Sequence, residues 1–298
     1  MTRWLVTGAG GMLGRDLTSV LTARGEEVTA CTRDDLDITD TAAVLAGLQA
    51  AKPDVVVNCA AWTAVDDAEA HEDSALAVNG HAVAGLAAAC ADVGAALVQV
   101  STDYVFDGLA SSPYVESAVP APRTAYGRTK LAGERAVLAT LPDNGYVVRT
   151  AWLYGAHGAN FVHTMLRLAR SGVGPAVVDD QRGQPTWSAD VAEQIHVLIT
   201  SDAPAGVYHA TSSSETTWFG LAEEVFALFN AAEFAGSRTA APAPVPTTSA
   251  AFQRPAPRPA YSVLGHDAWT AVGLPPIGHW RGALHRAFPA MIAVAENK

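Results

Sequence analysis

Short apolar runs alternate with longer segments of helical periodicity through the first half of the chain. Trp4–Thr7 reads as a strand. After a run of glycines, Met12–Leu21 carries apolar residues at helical spacing. Val28–Cys31 reads as a second strand. Thr41–Ala51 reads as a helix with Val44, Leu45 and Leu48 on one face, and Asp54–Asn58, centred on Val55-Val56-Val57, as the strongest strand. An Ala-rich segment predicts one long helix over Ser74–Val93. Ala96–Val100 and Val147–Arg149 predict further strands, with a helix over Ala125–Thr140 between them.

Strands that are unbroken apolar runs are buried on both faces. Their alternation with helices predicts a parallel sheet with right-handed crossovers. The expected fold class is therefore α/β. It is a doubly wound parallel sheet of Rossmann type over residues 1–150, joined by part of 186–212, with a smaller α/β substrate-binding domain over 151–298. In that second half Phe161–Ala169, Ala189–Ile199 and Trp218–Phe229 read as helices and Gly206–His209 as a strand. The Pro/Ala-rich stretch Ala240–Pro259 excludes a regular helix. Its composition suits a linker, but it carries Phe252, Arg254 and Arg258, and Tyr261 and a helix-like segment follow. An ordered loop crossing a binding cleft is expected there. No internal repeat is visible.

With 298 residues, 49% of them hydrophobic, the chain can bury a sizeable core without staples. Nineteen basic against thirty acidic residues give a net charge of −11. That balance argues against a general nucleic-acid binder. Cys31, Cys59 and Cys90 form no CxxC pair and read as reduced thiols of a cytoplasmic protein. No basic leader precedes the first strand, and the apolar windows are broken by Gly, Asp or Asn, so neither export nor a membrane span is expected. The histidines show no metal-ligand spacing, and His209, in a strand, reads as a structural donor. No GxSxG elbow marks a serine hydrolase.

Gly8, Gly11 and Gly14 follow strand one in a G-x-x-G-x-x-G pattern and open a helix. Such glycines permit the tight turn, the close approach of a pyrophosphate and tight helix–strand packing. The helix N-terminus then offers N–H groups and partial positive charge. Strand, loop and helix come in the order that dinucleotide binding requires, and no Walker lysine follows. At the end of strand two an acidic residue would favour NAD. Cys31-Thr32-Arg33 stands there instead, and Arg33 suits a 2′-phosphate. The reading is therefore NADPH, with NADH as the alternative and a solvated surface role as the alternative for Arg33.

Ser101-Thr102-Asp103-Tyr104 follows a buried strand, which places hydroxyls at the carboxyl end of the sheet. Tyr126 and Lys130 lie four apart and share a helix face. A free phenol is a sluggish acid at neutral pH, and a nearby ammonium is expected to lower its pKa. YxxxK alone also fits an ordinary amphipathic helix. Joined to the glycine loop and a strand-end threonine, it points to proton-transfer chemistry.

On these residues the chain resembles the extended short-chain dehydrogenases/reductases, and within them the dTDP-4-dehydrorhamnose reductase family. The segments that carry the resemblance begin with VTGAGGMLG at 6–14, DLDITD at 35–40 and PDVVVNCAAWTAVDDAE at 53–69. They continue with Asn79, STDYVFDG at 101–108, YGRTKLAGE at 126–134 and RTAWLYG at 149–155. The last are NFVHTMLRLA at 160–169, DDQRGQPTW at 179–187 and RPAYSVL at 258–264. The resemblance implies Thr102, Tyr126 and Lys130 as catalytic residues. It implies Gly8, Gly11, Met12, Leu13, Asp37, Ile38, Ala60, Ala61 and Lys130 as cofactor contacts, beside Gly14 and Arg33. Thr102, Asp103, Tyr126 and Trp152 would contact a dTDP-sugar; Trp152 has an alternative as a core aromatic. Arg254 and Arg258 are candidates for the diphosphate. Some members of that family use magnesium at a dimer contact. No acidic cluster here matches such a site, so no metal ligand is assigned. A monomer or homodimer is expected.

The implied reaction reduces the 4-keto group of dTDP-4-dehydro-L-rhamnose. One alternative is a related dTDP-4-keto-deoxysugar reductase of secondary metabolism, for example of dihydrostreptose type. Another is an epimerase or dehydratase with tightly held NAD, although a dehydratase would want an Asp-Glu pair after the threonine. The third is a non-catalytic NADP-binding regulatory subunit, against which the presence of both Tyr126 and Lys130 speaks.

Overall fold

The computed structural model describes residues 1–233 and 240–296. The first half runs β1 (Arg3–Thr7), α1 (Met12–Ala23), β2 (Glu27–Cys31), α2 (Thr41–Ala51), β3 (Val55–Asn58), α3 (Val65–Ala68), α4 (Glu72–Leu76), α5 (Ala82–Val93), β4 (Ala96–Thr102), α6 (Ala125–Thr140) and β5 (Gly145–Thr150). It continues with β6 (Leu153–Tyr154), α7 (Phe161–Arg170), β7 (Ala176–Val178), β8 (Arg182–Gly183), β9 (Thr186–Trp187), α8 (Ser188–Thr200), β10 (Gly206–His209), β11 (Thr216–Thr217) and α9 (Trp218–Glu233). The last elements are β12 (Val245–Thr247), α10 (Asp267–Ala271) and α11 (Trp280–Glu296).

The main sheet has six parallel strands in the order β10-β5-β4-β3-β1-β2. Successive side chains serve opposite faces, as the pleat dictates. Trp4, Val6, Val55, Val57, Val98 and Val148 share one core with Leu13, Leu17 and Leu21 of α1 and Val191, Ile195 and Leu198 of α8. Leu5, Val56 and Leu97 face the other way, onto Val44 and Leu48 of α2, Val83 and Leu86 of α5 and Val137 of α6. This double burial is why the central strands read as unbroken apolar runs. The doubly wound α/β expectation holds, and β10 and α8 bring the 186–212 segment into the sheet layer.

A second core lies among α7, α9 and α11, with Met165, Leu166, Phe226, Phe229, Trp280 and Met291 fully or nearly fully buried. Three two-stranded pairs, β6–β9, β7–β12 and β8–β11, tie this part together. The Pro-rich stretch enters it through β12, which pairs in parallel with β7. It is therefore ordered where it is described.

Two expectations need correction. The helix expected over Ser74–Val93 begins at Glu72 and is interrupted by a π-helical turn at Ala77–His81. Asn79 in that turn is buried, accepts from the Trp62 N–H (2.9 Å) and donates to the Trp62 carbonyl (3.1 Å) and Thr129 Oγ1 (3.2 Å). These side-chain bonds compensate for the disturbed helical ladder. One apolar window is also longer than expected, although Asn79, Gly80 and Gly85 break it. Glu72–Val93 is long and apolar enough to cross a membrane by length and composition. In this fold half of its most apolar window is buried, and α5 packs against α2 and α6.

Candidate active site

Strand β1 is flanked by β2 on one side and β3 on the other, so the crevice above their carboxyl ends is the switch point of the sheet, where ligands bind in such folds. The glycine loop lies there. Gly8 has φ +64°, and a Cβ on it would stand 2.6 Å from the Ala60 nitrogen, just beyond β3. A Cβ on Gly14 would meet the Gly8 carbonyl oxygen at 2.4 Å. Both positions therefore require glycine if the α1 N-terminus is to sit this close to the sheet. Gly11 caps α1 without any side-chain hydrogen bond, which leaves the first-turn amides to a ligand. The cradle fits a pyrophosphate.

A cavity of about 1390 Å³ opens from this loop along the top of the sheet. Every site residue singled out from the sequence lines it, except Gly14, which stands behind the loop. Arg33 is exposed at its rim, with Nε 3.2 Å from Asp37 Oδ2. Asp37 in turn accepts from the Thr39 N–H and hydroxyl (2.9 and 2.7 Å). Ser101 Oγ and Thr150 Oγ1 are buried cavity-lining hydroxyls with no protein partner, which suits a polar ligand.

Helix α6 delivers Tyr126 and Lys130. Thr124 caps it by accepting from the Gly127 N–H (3.0 Å). A Cβ on Gly127 would lie 2.1 Å from the Tyr104 carbonyl oxygen, so the missing side chain lets the helix press onto the segment after β4. That brings the Tyr126 phenol to the Thr102 hydroxyl. Thr102 Oγ1 donates to Asp103 Oδ1 (2.9 Å) and accepts from the Tyr104 N–H (3.2 Å). Burial pushes Asp103 up to about 6, against the lowering effect of the Ser262 and Thr102 hydroxyls.

Lys130 departs from expectation. Its buried ammonium donates to the Val100 carbonyl (2.6 Å), and burial lowers its pKa to about 8. The phenol of Tyr126 is not lowered but pushed up to about 12. Burial dominates over the lowering influence of the nearby Thr102 hydroxyl, and the Asp103 charge adds to the rise. In this geometry Tyr126 is a firmly protonated acid at neutral pH.

On the other side of the cavity, Trp152 is half-buried and stacks on Trp218, so it is not a core aromatic. Of the two arginines proposed for a diphosphate, Arg258 is already committed. It donates to Asp66 Oδ2 (2.8 Å) and to the Ala256 carbonyl (3.0 Å), fastening the Pro-rich segment to α3. Phe252, Arg254, Arg258 and Pro259 all line the cavity, so this segment does cross the cleft.

His209 is buried with Nδ1 3.0 Å from the Gly265 carbonyl oxygen. Burial lowers its pKa to about 3, so the ring is neutral and structural. The cysteines are free. Among the described residues no group of His, Cys, Asp and Glu could hold a metal ion. Sequence reasoning did not single out Trp62, Asp66, Phe161, Gln181 or Trp218, which also line the cavity. Trp62 and Asp66 lie in the 53–69 segment, whereas Trp218 has no motif around it to mark it.

Fold and site together define an extended short-chain dehydrogenase/reductase. More narrowly, the chain belongs to the family described as RmlD substrate binding domain, whose model matches residues 2–292. It is 56% identical over 294 residues to the dTDP-4-dehydrorhamnose reductase of Streptomyces griseus, covering 97% of this chain and 94% of that protein. It is 53% identical over 291 residues to the dTDP-4-keto-6-deoxy-D-glucose reductase of Streptomyces niveus, covering 98% of each. Among solved structures, a dTDP-4-dehydrorhamnose reductase from Bacillus anthracis in complex with NADP superposes with a TM-score of 0.90 at 35% identity, covering 97% of this chain and 99% of that one.

Proposed function

We propose that this chain is an NADPH-dependent reductase of a dTDP-linked 4-keto-6-deoxy-L-hexose, converting dTDP-4-dehydro-L-rhamnose to dTDP-L-rhamnose. The observation that carries the reading is a single cavity lined by both the glycine cradle and the Thr102–Tyr126 pair. Relatives that bear this activity in their names extend over nearly the whole chain. The sheet layer (residues 1–150 with part of 186–212) would hold the cofactor, and the remainder of 151–298 the sugar nucleotide.

NADPH, when bound, supplies the hydride for C4. The chain's own residues manage the charge that develops on the carbonyl oxygen. Tyr126 holds a proton on Oη and gives it to that oxygen. Thr102, beside it, polarises the carbonyl. General acid catalysis of this kind contributes about 10²–10⁴-fold, and the rest comes from orientation in a preorganised site. The helix α1 N-terminus and the Gly8 loop hold the pyrophosphate, Arg33 the 2′-phosphate, and Lys130 the nicotinamide ribose. Asp103 and Trp152 contact the sugar. Arg254 is the better candidate for the sugar-nucleotide diphosphate, since Asp66 already engages Arg258. The same reading places a monomeric or homodimeric enzyme in the cytoplasm and assigns no metal ligand.

A related dTDP-4-keto-deoxysugar reductase of secondary metabolism is the second reading, favoured by the 53% identical relative named for dTDP-4-keto-6-deoxy-D-glucose. One experiment separates them. The purified protein is given dTDP-4-dehydro-L-rhamnose, made in situ from dTDP-glucose by a dehydratase and an epimerase. NADPH and NADH oxidation are followed and the sugar product identified, with and without a chelator. Oxidation yielding dTDP-L-rhamnose supports the first reading. No turnover of this sugar, with turnover of another dTDP-4-keto sugar, supports the second.

A further inference from the structure

Trp152 adopts a backbone conformation that an aromatic residue rarely takes. Its φ is +48°, in the left-handed region. Such a residue persists only where its surroundings over-determine it. Two features do so here. Its ring lies on that of Trp218 with centroids 3.6 Å apart and planes within 8°. Its edge crosses Gly183, where a Cβ would come within 2.4 Å of Cε2, 2.6 Å of Cζ2 and 2.7 Å of Nε1. One face and one edge of the indole are therefore fixed, and the remainder lines the cavity that holds Thr102 and Tyr126.

Trp218 is itself tightly held. Its Nε1–H donates to Gln181 Oε1 (3.1 Å), and the Phe161 ring stands 4.7 Å away at 50°. Gln181 Nε2 donates to Ser249 Oγ (2.8 Å), in the Pro-rich segment, and Ser249 is anchored on Asp180. A centroid separation this short is a nearly face-to-face arrangement, less favoured for two aromatics than an offset or edge-on one. The stack is thus maintained by its attachments, not by ring attraction alone.

We infer that Trp218 is a positioning residue for the reduction: it sets the indole of Trp152 as a rigid wall against which the hexose is oriented toward Tyr126. This rests on the functional reading above and names what makes Trp152 competent in it. Trp218 acts through Trp152 and through Gln181, which joins the wall to the Pro-rich segment across the cleft. The glycine cradle that would hold the cofactor's pyrophosphate is built by Gly8, Gly11 and the α1 N-terminus and makes no use of Trp218, so NADPH affinity should not depend on it.

The test compares wild type, Trp218→Ala, Trp218→Phe and Gly183→Ala as full-length proteins. KM and kcat are measured with dTDP-4-dehydro-L-rhamnose, NADPH affinity by quenching of its fluorescence, and fold by thermal unfolding. Trp218→Ala is expected to raise KM roughly tenfold, the size of change that one aromatic contact supplies, with NADPH affinity unchanged. Trp218→Phe, which keeps a ring against Trp152, should recover most of that loss. Gly183→Ala leaves Trp218 in place but displaces the Trp152 ring, so it should reproduce the KM rise even if Trp218→Ala folds poorly. A Trp218→Ala protein with wild-type KM overturns the inference. So does one that loses NADPH affinity and sugar affinity in equal measure, since that marks a general lesion. A wild type inert toward every dTDP-4-keto sugar overturns the functional reading, and this inference with it.

Discussion

Lys130 Nζ donates to the main-chain carbonyl oxygen of Val100 at 2.6 Å. The same oxygen accepts from Gln99 Nε2 (2.8 Å), Gln99 Oε1 accepts from Asn58 Nδ2 (2.7 Å), and Asn58 Oδ1 accepts from the Thr7 hydroxyl (2.6 Å). A buried polar chain thus crosses β4, β3 and β1 and ends at the lysine beneath the site. It holds the ammonium on the strand, and the Tyr126 phenol is governed by burial and by its neighbours Thr102 and Asp103.

The free enzyme should accordingly show one alkaline limb in reach. Burial lowers Lys130 to about 8, whereas Tyr126 stays protonated up to about 12. Lys130 is charged below its pKa and neutral above it. The kcat/KM for reduction, which reports free-enzyme groups, is expected to be highest below about 8 and to fall as pH rises through that value. Lys130→Met should give a lower, flat profile over the same range. A wild-type profile unchanged from pH 7 to about 10 would show that Lys130 charge plays no part.

Tyr126→Phe removes the proposed proton donor but keeps the ring against Tyr104, with which it makes an edge-on contact at 5.7 Å. Turnover should drop by about 10²–10⁴-fold while NADPH affinity is kept. Stopped-flow measurement of the hydride-transfer step would separate this from slow product release. Near-wild-type turnover would remove Tyr126 from the donor role.

Asp103 carries a stability signature. Its ordinary pKa is 3.8 and its folded value about 6, because burial disfavours the charged form. The folded state holds this proton more tightly than the unfolded chain. The group therefore supports the fold below 3.8, and that support is lost as pH rises through about 6. Asp103→Asn cannot ionise and should raise unfolding stability at neutral pH by roughly 1–3 kcal/mol, while sugar affinity falls. Urea titrations should show the gain shrinking as pH falls from about 6 and gone below 3.8. A variant that is less stable at neutral pH would contradict the burial argument.

Much of the candidate site was legible because the proposed chemistry is tied to local pattern. Gly8, Gly11 and Gly14 fall within seven residues across one loop and the start of α1, Thr102 ends an apolar strand, and Tyr126 and Lys130 are one helical turn apart. The sheet was legible because strands buried on both faces leave unbroken runs such as Val55-Val56-Val57. What the sequence left out depends on contacts between distant segments. The direction of the Lys130 bond is set by a carbonyl thirty residues away. The commitment of Arg258 is set by Asp66, and the placement of Trp218 by Trp152 and Gly183. The π-helical turn at Ala77–His81 was missed because an Ala-rich run reads the same with or without it, and only the Asn79 partners reveal it.

The glycine cradle separates steric need from ligand contact. Gly8→Ala places a Cβ 2.6 Å from the Ala60 nitrogen at φ +64°, so both thermal stability and NADPH affinity should fall. Gly10 lines the same cavity, but a Cβ there meets nothing closer than Thr32 Cγ2 at 3.7 Å. Gly10→Ala should therefore unfold at the wild-type temperature, and any loss of NADPH affinity in it would arise in the cavity and not from the fold. Calorimetric unfolding and cofactor titration of the two variants check this. A Gly8→Ala protein unchanged in both would dismiss the cradle.

On the proposed reading, cofactor preference turns on Arg33. Its guanidinium is exposed at the cavity rim and its Nε bonds Asp37 at 3.2 Å, which leaves its other N–H groups available at the end of β2. A 2′-phosphate there would gain charge-assisted hydrogen bonds, and NADH would gain none. Because the pair is exposed, solvent and salt weaken the contribution. Arg33→Ala should therefore weaken NADPH binding by about tenfold at low ionic strength, less at high salt, and leave NADH affinity within about twofold. Asp37→Asn, which removes the competing carboxylate, should move preference the other way. Equal losses for both cofactors on Arg33→Ala would mean that Arg33 holds the adenosine half as a whole, not its 2′-phosphate.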